Sequence, residues 1–209
     1  MRRPRIAVLD YRAGNLHSME KALVRAGGDA FVTDSAEAAL AADALVVPGV
    51  GRFGQCVRRF RQEGLETLAR DWVADSRPLL GVCVGMQILY EGSDEDPDVA
   101  GLGLLPGTVR RLPDDVIVPH MGWNTLEPAR VDPLMEGLAG AHAYFVHSYY
   151  SEAVDEHVVA TTTYGVALAA IVRVDSVVAT QFHPEKSSTV GAALLTNWVG
   201  GIERRDRTA

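Results

Sequence analysis

Three residues have the types and spacing for acyl-transfer chemistry: Cys83, His183 and Glu185. Cys83 lies in Leu80-Gly81-Val82-Cys83-Val84-Gly85-Met86-Gln87, a cysteine set between glycines after an apolar run and ahead of a helix-like pattern. This is the thiol form of a nucleophile elbow, where a strand turns sharply into a helix and holds its central side chain at the tip. Gly81 and Gly85 leave room for the turn and for close approach of helix and strand. A helix N-terminus at Cys83 favours an anionic sulfur. An isolated cysteine in such a run reads more simply as a small buried hydrophobe. The segment Gln181-Phe182-His183-Pro184-Glu185 changes that reading. Pro184 pushes His183 into an extended conformation, and in an extended segment residues two apart point to the same side. His183 and Glu185 therefore project together, the carboxylate orienting an imidazole that can take a thiol proton.

These groups need a frame that brings position 83 to position 183. The first half of the chain alternates short apolar runs, at 6–9, 30–33, 44–47 and 78–82, with helical patterns. Leu16, Met19, Leu23 and Ala26 keep helical spacing until Gly27-Gly28 stops it, and Ser35 has N-cap chemistry for a short alanine-rich helix. Leu65, Leu68, Trp72 and Val73 mark a further helix. Such alternation implies a parallel sheet covered on both faces. After about Gly101 the chain becomes strand-rich, with runs at 116–118, 143–147, 158–162, 167–174 and 177–181, and Asp175-Ser176 as a tight turn. A closing helix is expected over 189–199, with Val190, Leu194 and Trp198 on its apolar face, followed by a polar, frayed tail over 203–209. The expected fold is one α/β domain over 1–209: a mostly parallel central sheet flanked by helices, with an antiparallel strand-rich C-terminal half.

Composition narrows the function. At 209 residues and 47% hydrophobic content the chain can bury one substantial core. A net charge of −7 argues against nucleic-acid or anionic-membrane binding, and Arg58-Arg59-Phe60-Arg61 reads as the solvated face of a helix. Two cysteines make no disulfide framework, so Cys56 reads as an incidental free thiol. The basic start is followed by an apolar run too short for a signal sequence, and no run reaches membrane-spanning length. A cytoplasmic protein is expected. No phosphate-cradling glycine loop follows the first strand, and the histidines lack metal-ligand spacing. Neither cofactor nor metal is expected.

With the three catalytic candidates placed, the chain resembles the class I (triad) glutamine amidotransferases, and within them the glutaminase subunits of imidazole glycerol phosphate synthase. The resemblance covers nearly the whole chain and rests on five ordered motifs: Asp10-Tyr11-Arg12-Ala13-Gly14-Asn15-Leu16, Pro48-Gly49-Val50-Gly51, the elbow, Pro119-His120-Met121-Gly122-Trp123-Asn124, and 182–187. It implies that glutamine is the substrate, attacked by Cys83, with His183 and Glu185 completing the triad. It further implies an oxyanion hole from the N–H groups of Gly51 and Val84, and glutamine contacts from Gln87, Glu95 and the backbone at Ser148 and Tyr149. For Glu95 the alternative is an exposed loop carboxylate in an acidic run. The implied partner is a (β/α)8 cyclase subunit that binds the phosphorylated substrate and uses the ammonia. Met121 and Trp123, with Asn15 and Lys186, are the implied interface. Trp123 sits in a turn-like context, the alternative being a partly buried strand tryptophan. The family usually has glycine where this chain has Arg12; if that position needs a positive φ, arginine strains it.

Two other classes remain open at this level. One is another cysteine hydrolase or class I amidotransferase subunit, such as the glutaminase of pyridoxal phosphate synthesis. The other is a non-catalytic doubly wound module, since a fold alone does not specify function.

Overall fold

The fold was obtained as a computed structural model, which describes residues 2–151 and 155–206. In chain order its elements are β1 (Arg5–Leu9), α1 (Leu16–Arg25), β2 (Asp29–Thr33), α2 (Ala36–Leu40), β3 (Ala44–Val47), α3 (Phe53–Gln62), α4 (Leu65–Ala74), β4 (Leu79–Val82) and α5 (Val84–Gln87). There follow β5 (Gly92–Ser93), β6 (Thr108–Arg111), β7 (His120–Thr125), β8 (Glu127–Pro128), β9 (His142–His147) and β10 (Tyr149–Ser151). The last elements are β11 (Val158–Tyr164), β12 (Val166–Val174), β13 (Val177–Thr180) and α6 (Ser188–Asp206).

Among the described residues eight strands form the main sheet, in the order β2-β1-β3-β4-β13-β12-β11-β8. From β2 to β13 neighbours run parallel; β12, β11 and β8 continue the sheet antiparallel. The expected mixture of a parallel centre and an antiparallel C-terminal half is therefore present. The cause is the burial pattern: β3, β4 and β13 are buried at every position, as strands covered on both faces must be. Helix α1 packs with α6, while α3 packs with α4 and α5. Ser35 caps α2 as expected, its Oγ accepting from the Ala38 N–H at 3.2 Å.

Three expectations are corrected. Residues 116–118 are not a strand: Ile117 is 82% exposed, and its carbonyl accepts from the Tyr164 hydroxyl rather than from a ladder neighbour. An apolar run alone does not supply a pairing partner. The segment around Trp123 is strand β7, paired antiparallel with β9, and not a turn. The closing helix is longer than 189–199, and residues 203–206 belong to it instead of to a frayed tail; the rest of that tail lies outside the described residues. The arginines of the 58–61 cluster do lie on the solvated side of a helix, α3, with Phe60 between them turned into the core.

Candidate active site

The loops that follow β3, β4 and β13 converge at one end of the parallel strands, where α/β sheets place their ligands. After β4 comes Cys83, with φ +54° and ψ −114°, a left-handed conformation that a cysteine adopts only when its surroundings impose it. The imposition is visible. The Cys83 N–H donates to Thr180 O at 2.8 Å, tying the elbow to β13, and the Gln87 N–H donates to Cys83 O at 3.1 Å, starting α5. A Cβ on Gly85 would sit 1.9 Å from Val47 O, and one on Gly49 would sit 2.2 Å from Gly85 N. The elbow and the loop after β3 therefore touch backbone to backbone, a contact that only glycine permits.

After β13 the chain stays extended at His183 (φ −98°, ψ 99°) and turns at Pro184. His183 Nδ1 lies 2.9 Å from Glu185 Oε1, and both side chains are only 2% exposed. The turn is sutured to β9: the His183 N–H donates to Tyr144 O at 3.1 Å, the Tyr144 N–H donates to Ser187 Oγ at 2.9 Å, and Ser187 Oγ donates to His183 O at 2.7 Å. His183 Nε2 is buried without a hydrogen-bond partner. It is the ring nitrogen left to act on Cys83, since Nδ1 is taken by Glu185. Burial alone would lower the pKa of His183, but interactions with Cys83 and with Glu185 outweigh it and raise the value to about 9. These interactions favour the imidazolium form of His183.

A pocket of about 380 Å³ opens in front of the dyad, large enough for one amino acid. Cys83 and His183 line it, and so do the oxyanion candidates Gly51 and Val84. The four residues expected to hold substrate, Gln87, Glu95, Ser148 and Tyr149, line it as well, with Lys186 and Pro119. Val84 opens α5, where an N–H has no partner within its own helix. Gly51 has φ +101°, and the Val50 carbonyl accepts from the Cys56 thiol at 3.5 Å. Cys56 is buried, and burial pushes its pKa up to about 11.

Two substrate candidates carry structural duties. Gln87 Nε2 donates to Tyr149 O at 2.9 Å and to Gln181 Oε1 at 3.1 Å, so its amide ties β10 to the end of β13. Glu95 lines the pocket while its Oε2 accepts the Phe53 N–H at 2.8 Å, capping α3 just after the Gly51 loop. It is half-buried and not a free surface carboxylate.

The interface candidates lie apart from the pocket, except Lys186. Met121 and Trp123 are 63% and 53% exposed on the outer face of β7, and Asn15 is exposed where α1 begins. Sequence reasoning gave no role to Tyr11, which is fully buried, its hydroxyl donating to Pro48 O. Burial raises its pKa well above normal and keeps it a donor. A motif carrying one aromatic beside a flexible loop was the available signal. Arg12 does adopt a positive φ, +62°. Its N–H donates to Asp10 Oδ1 at 2.8 Å and its carbonyl accepts from Arg59 Nη1 at 2.7 Å, contacts that hold the strained residue.

The chain is similar to proteins of one known family. The family model described as "Glutamine amidotransferase class-I" matches residues 7–200. The chain is 46% identical over 194 residues, 93% of its length and 97% of the relative's, to a protein of Methanothermobacter thermautotrophicus named imidazole glycerol phosphate synthase subunit HisH. It is 47% identical over 206 residues to the protein of the same name from Microcystis aeruginosa, covering 95% of this chain and 96% of that one. A solved structure titled "Crystal structure of glutamine amidotransferase" superposes with a TM-score of 0.73 at 27% identity, covering 93% of this chain and 98% of that one.

Proposed function

The chain belongs to the class I glutamine amidotransferases, as an imidazole glycerol phosphate synthase subunit of the HisH type in histidine biosynthesis, and from this premise we propose how its site releases ammonia. The Cys83 thiolate attacks the side-chain amide carbon of glutamine. The resulting oxyanion is held by the N–H groups of Val84 and Gly51, donors of the kind that typically contribute about 3 kcal/mol each to the transition state. The tetrahedral species collapses as the His183 imidazolium protonates the leaving nitrogen, giving ammonia and a glutamyl thioester. His183, now neutral, takes a proton from water; the hydroxide attacks the thioester, and glutamate leaves as the thiolate re-forms. Glu185 keeps the ring oriented and stabilises its charged form. Gln87, Glu95, Ser148 and Tyr149 would surround the rest of glutamine.

The single observation that carries this reading is the left-handed Cys83 set against the buried His183–Glu185 pair in one pocket of amino-acid size. We take the partner to be a (β/α)8 cyclase that converts the phosphoribulosyl aminoimidazole-carboxamide intermediate with the ammonia into imidazole glycerol phosphate and AICAR. Both would work in the cytoplasm; among the described residues no helix is long and apolar enough to cross a membrane. Docking would use Met121 and Trp123, with Asn15 and Lys186 at the margin.

Gating belongs to the same proposal. The Val50–Gly51 peptide would turn between a state with the carbonyl aimed at the site and one that presents the Gly51 N–H, and partner binding would favour the second. The Cys56–Val50 contact shows which group holds that carbonyl here. Because Gly51 has φ +101°, proline there would distort the loop as well as remove the N–H, so the rate comparison is the cleaner test. Glutamine hydrolysis is measured for the chain alone, with the cyclase, and with the cyclase and its ligand. Stimulation of about a hundredfold is expected, and equal rates in all three would overturn the gating.

A further inference from the structure

A one-way line of hydrogen bonds runs from strand β7 into the pocket wall. At its inner end the Tyr149 carbonyl lies 2.8 Å from His147 Nδ1. A carbonyl only accepts, so His147 Nδ1 carries the hydrogen. Burial pushes the pKa of His147 down to about 3, outweighing the hydrogen bond to Tyr149, so the ring is neutral and its Nε2 is a bare acceptor. His120 Nδ1 lies 3.1 Å from that nitrogen and must be the donor, which leaves His120 Nε2 as an acceptor in turn. Burial lowers the pKa of His120 as well. Asn124 Nδ2 faces this nitrogen at 3.4 Å. The Asn124 amide is oriented twice over: Nδ2 donates to Thr163 O at 2.9 Å, and Oδ1 accepts the Thr125 N–H at 2.8 Å. Every donor thus meets an acceptor in the order Asn124, His120, His147, Tyr149.

Neither ring has a role in the triad chemistry. His120 stacks on Phe145 and on Tyr164, with ring centroids 5.0 and 4.0 Å away, and both histidines are buried. Two adjacent neutral imidazoles beside a cationic His183 are a costly choice for filling a core, where an apolar ring would pack without desolvation. Their order has a consequence at one place, the Tyr149 peptide, whose carbonyl accepts from His147 on one side and Gln87 on the other.

We propose that His120 and His147 are positioning residues for glutamine: a directional brace that fixes the Tyr149 peptide and so sets the substrate wall of the pocket. The proposal rests on the reading of this pocket as a glutamine site. It concerns binding and not bond-making, so its signature is a split between KM and kcat.

The test uses the chain in complex with its cyclase. His120→Phe keeps the stacked ring but removes both polar nitrogens; His120→Asn restores a donor near the Nδ1 position. His120→Phe is expected to raise KM for glutamine about tenfold with kcat within about threefold of the parent, the loss of one buried hydrogen bond. His120→Asn is expected to recover most of that loss. An unchanged KM in His120→Phe, or a fall confined to kcat, overturns the proposal. A second measurement needs no activity and no variant: ring 15N NMR of the full chain. A hydrogen on Nδ1 of both rings, with nitrogen–nitrogen coupling across the His120–His147 bond, is expected; a hydrogen on Nε2 of His147 overturns the brace even if His120→Phe does not fold. Failure of the glutaminase reading is told apart because it appears as Cys83-independent glutamine hydrolysis or none at all, while the NMR result stands by itself.

Discussion

The two walls of the pocket differ in what sets their inner surface. The wall carrying Cys83 is made by backbone contact: fully buried strands β3 and β4, the Gly49–Gly85 approach, and a nucleophile held at φ +54° by its neighbours. The opposite wall, at 146–149, runs through the backbone ladders of β9 and β10 and is cross-tied by side-chain polar bonds, with His147 and Gln87 meeting at the Tyr149 carbonyl. Behind it β7 presents exposed Met121 and Trp123 to the outside. A close-packed wall cannot adjust without clashes, which suits atoms that must be placed for bond formation. A wall whose side chains are set by a few hydrogen bonds has side-chain alternatives within a few kcal/mol, which suits substrate recognition and response to a partner. Damage to the first should therefore appear in kcat, and damage to the second in KM or partner affinity.

The sharpest test of that division is Cys83→Ala. Glutamine-dependent turnover of the complex is expected to fall at least about 10⁴-fold. Turnover with added ammonium salt should survive, because the thiolate is needed only to release ammonia. Undiminished glutamine use in this variant would remove Cys83 from the mechanism.

Glu185→Gln comes next. Losing the charge that orients and stabilises the imidazolium should lower kcat about a hundredfold or more, with little change in KM. The same substitution has a pH signature. The folded pKa of His183, about 9, lies above the ordinary histidine value. Its contribution to stability is therefore complete below about pH 6.5 and is lost as pH rises through about 9. Removing Glu185 takes away one of the interactions that raise this pKa, so the alkaline loss should begin at lower pH. Urea midpoints of parent and variant between about pH 6 and 10 check this; identical alkaline limbs would contradict the ion-pair account.

On the outer side of the adjustable wall, Trp123→Ala is expected to weaken cyclase binding by about 2 kcal/mol with the isolated chain still folded. An unchanged affinity by titration would mean that the docking face lies elsewhere. The smallest effect concerns the opening motif. Arg12 spends its conformational freedom at φ +62°, and its ion pair with Glu63 at 3.5 Å is largely exposed. Arg12→Gly should raise stability by up to about 1 kcal/mol, the strain relieved being partly offset by the entropy of glycine. A loss of stability would show that the Glu63 contact outweighs the strain.

What the sequence determined by itself was whatever one residue's sterics or a two-residue period decides. Glycines around Cys83 set the elbow, Pro184 kept His183 extended, and a period of two put Glu185 beside it; the observed dihedrals and the 2.9 Å contact follow from those local causes. Alternating apolar runs fixed the parallel centre of the sheet for the same reason, because a strand buried on both faces must read as apolar throughout. Tertiary structure alone decided the rest. Residues 116–118 have strand composition but no strand to pair with, and Trp123 gained a strand only because β9 lies beside it. His120 meets His147 through one cross-strand register, and Gln87 is spent on Tyr149 and Gln181, 62 and 94 residues away in the chain. Such contacts depend on which segments the hydrophobic core brings together, and the residues themselves carry no local conformational preference that encodes the pairing.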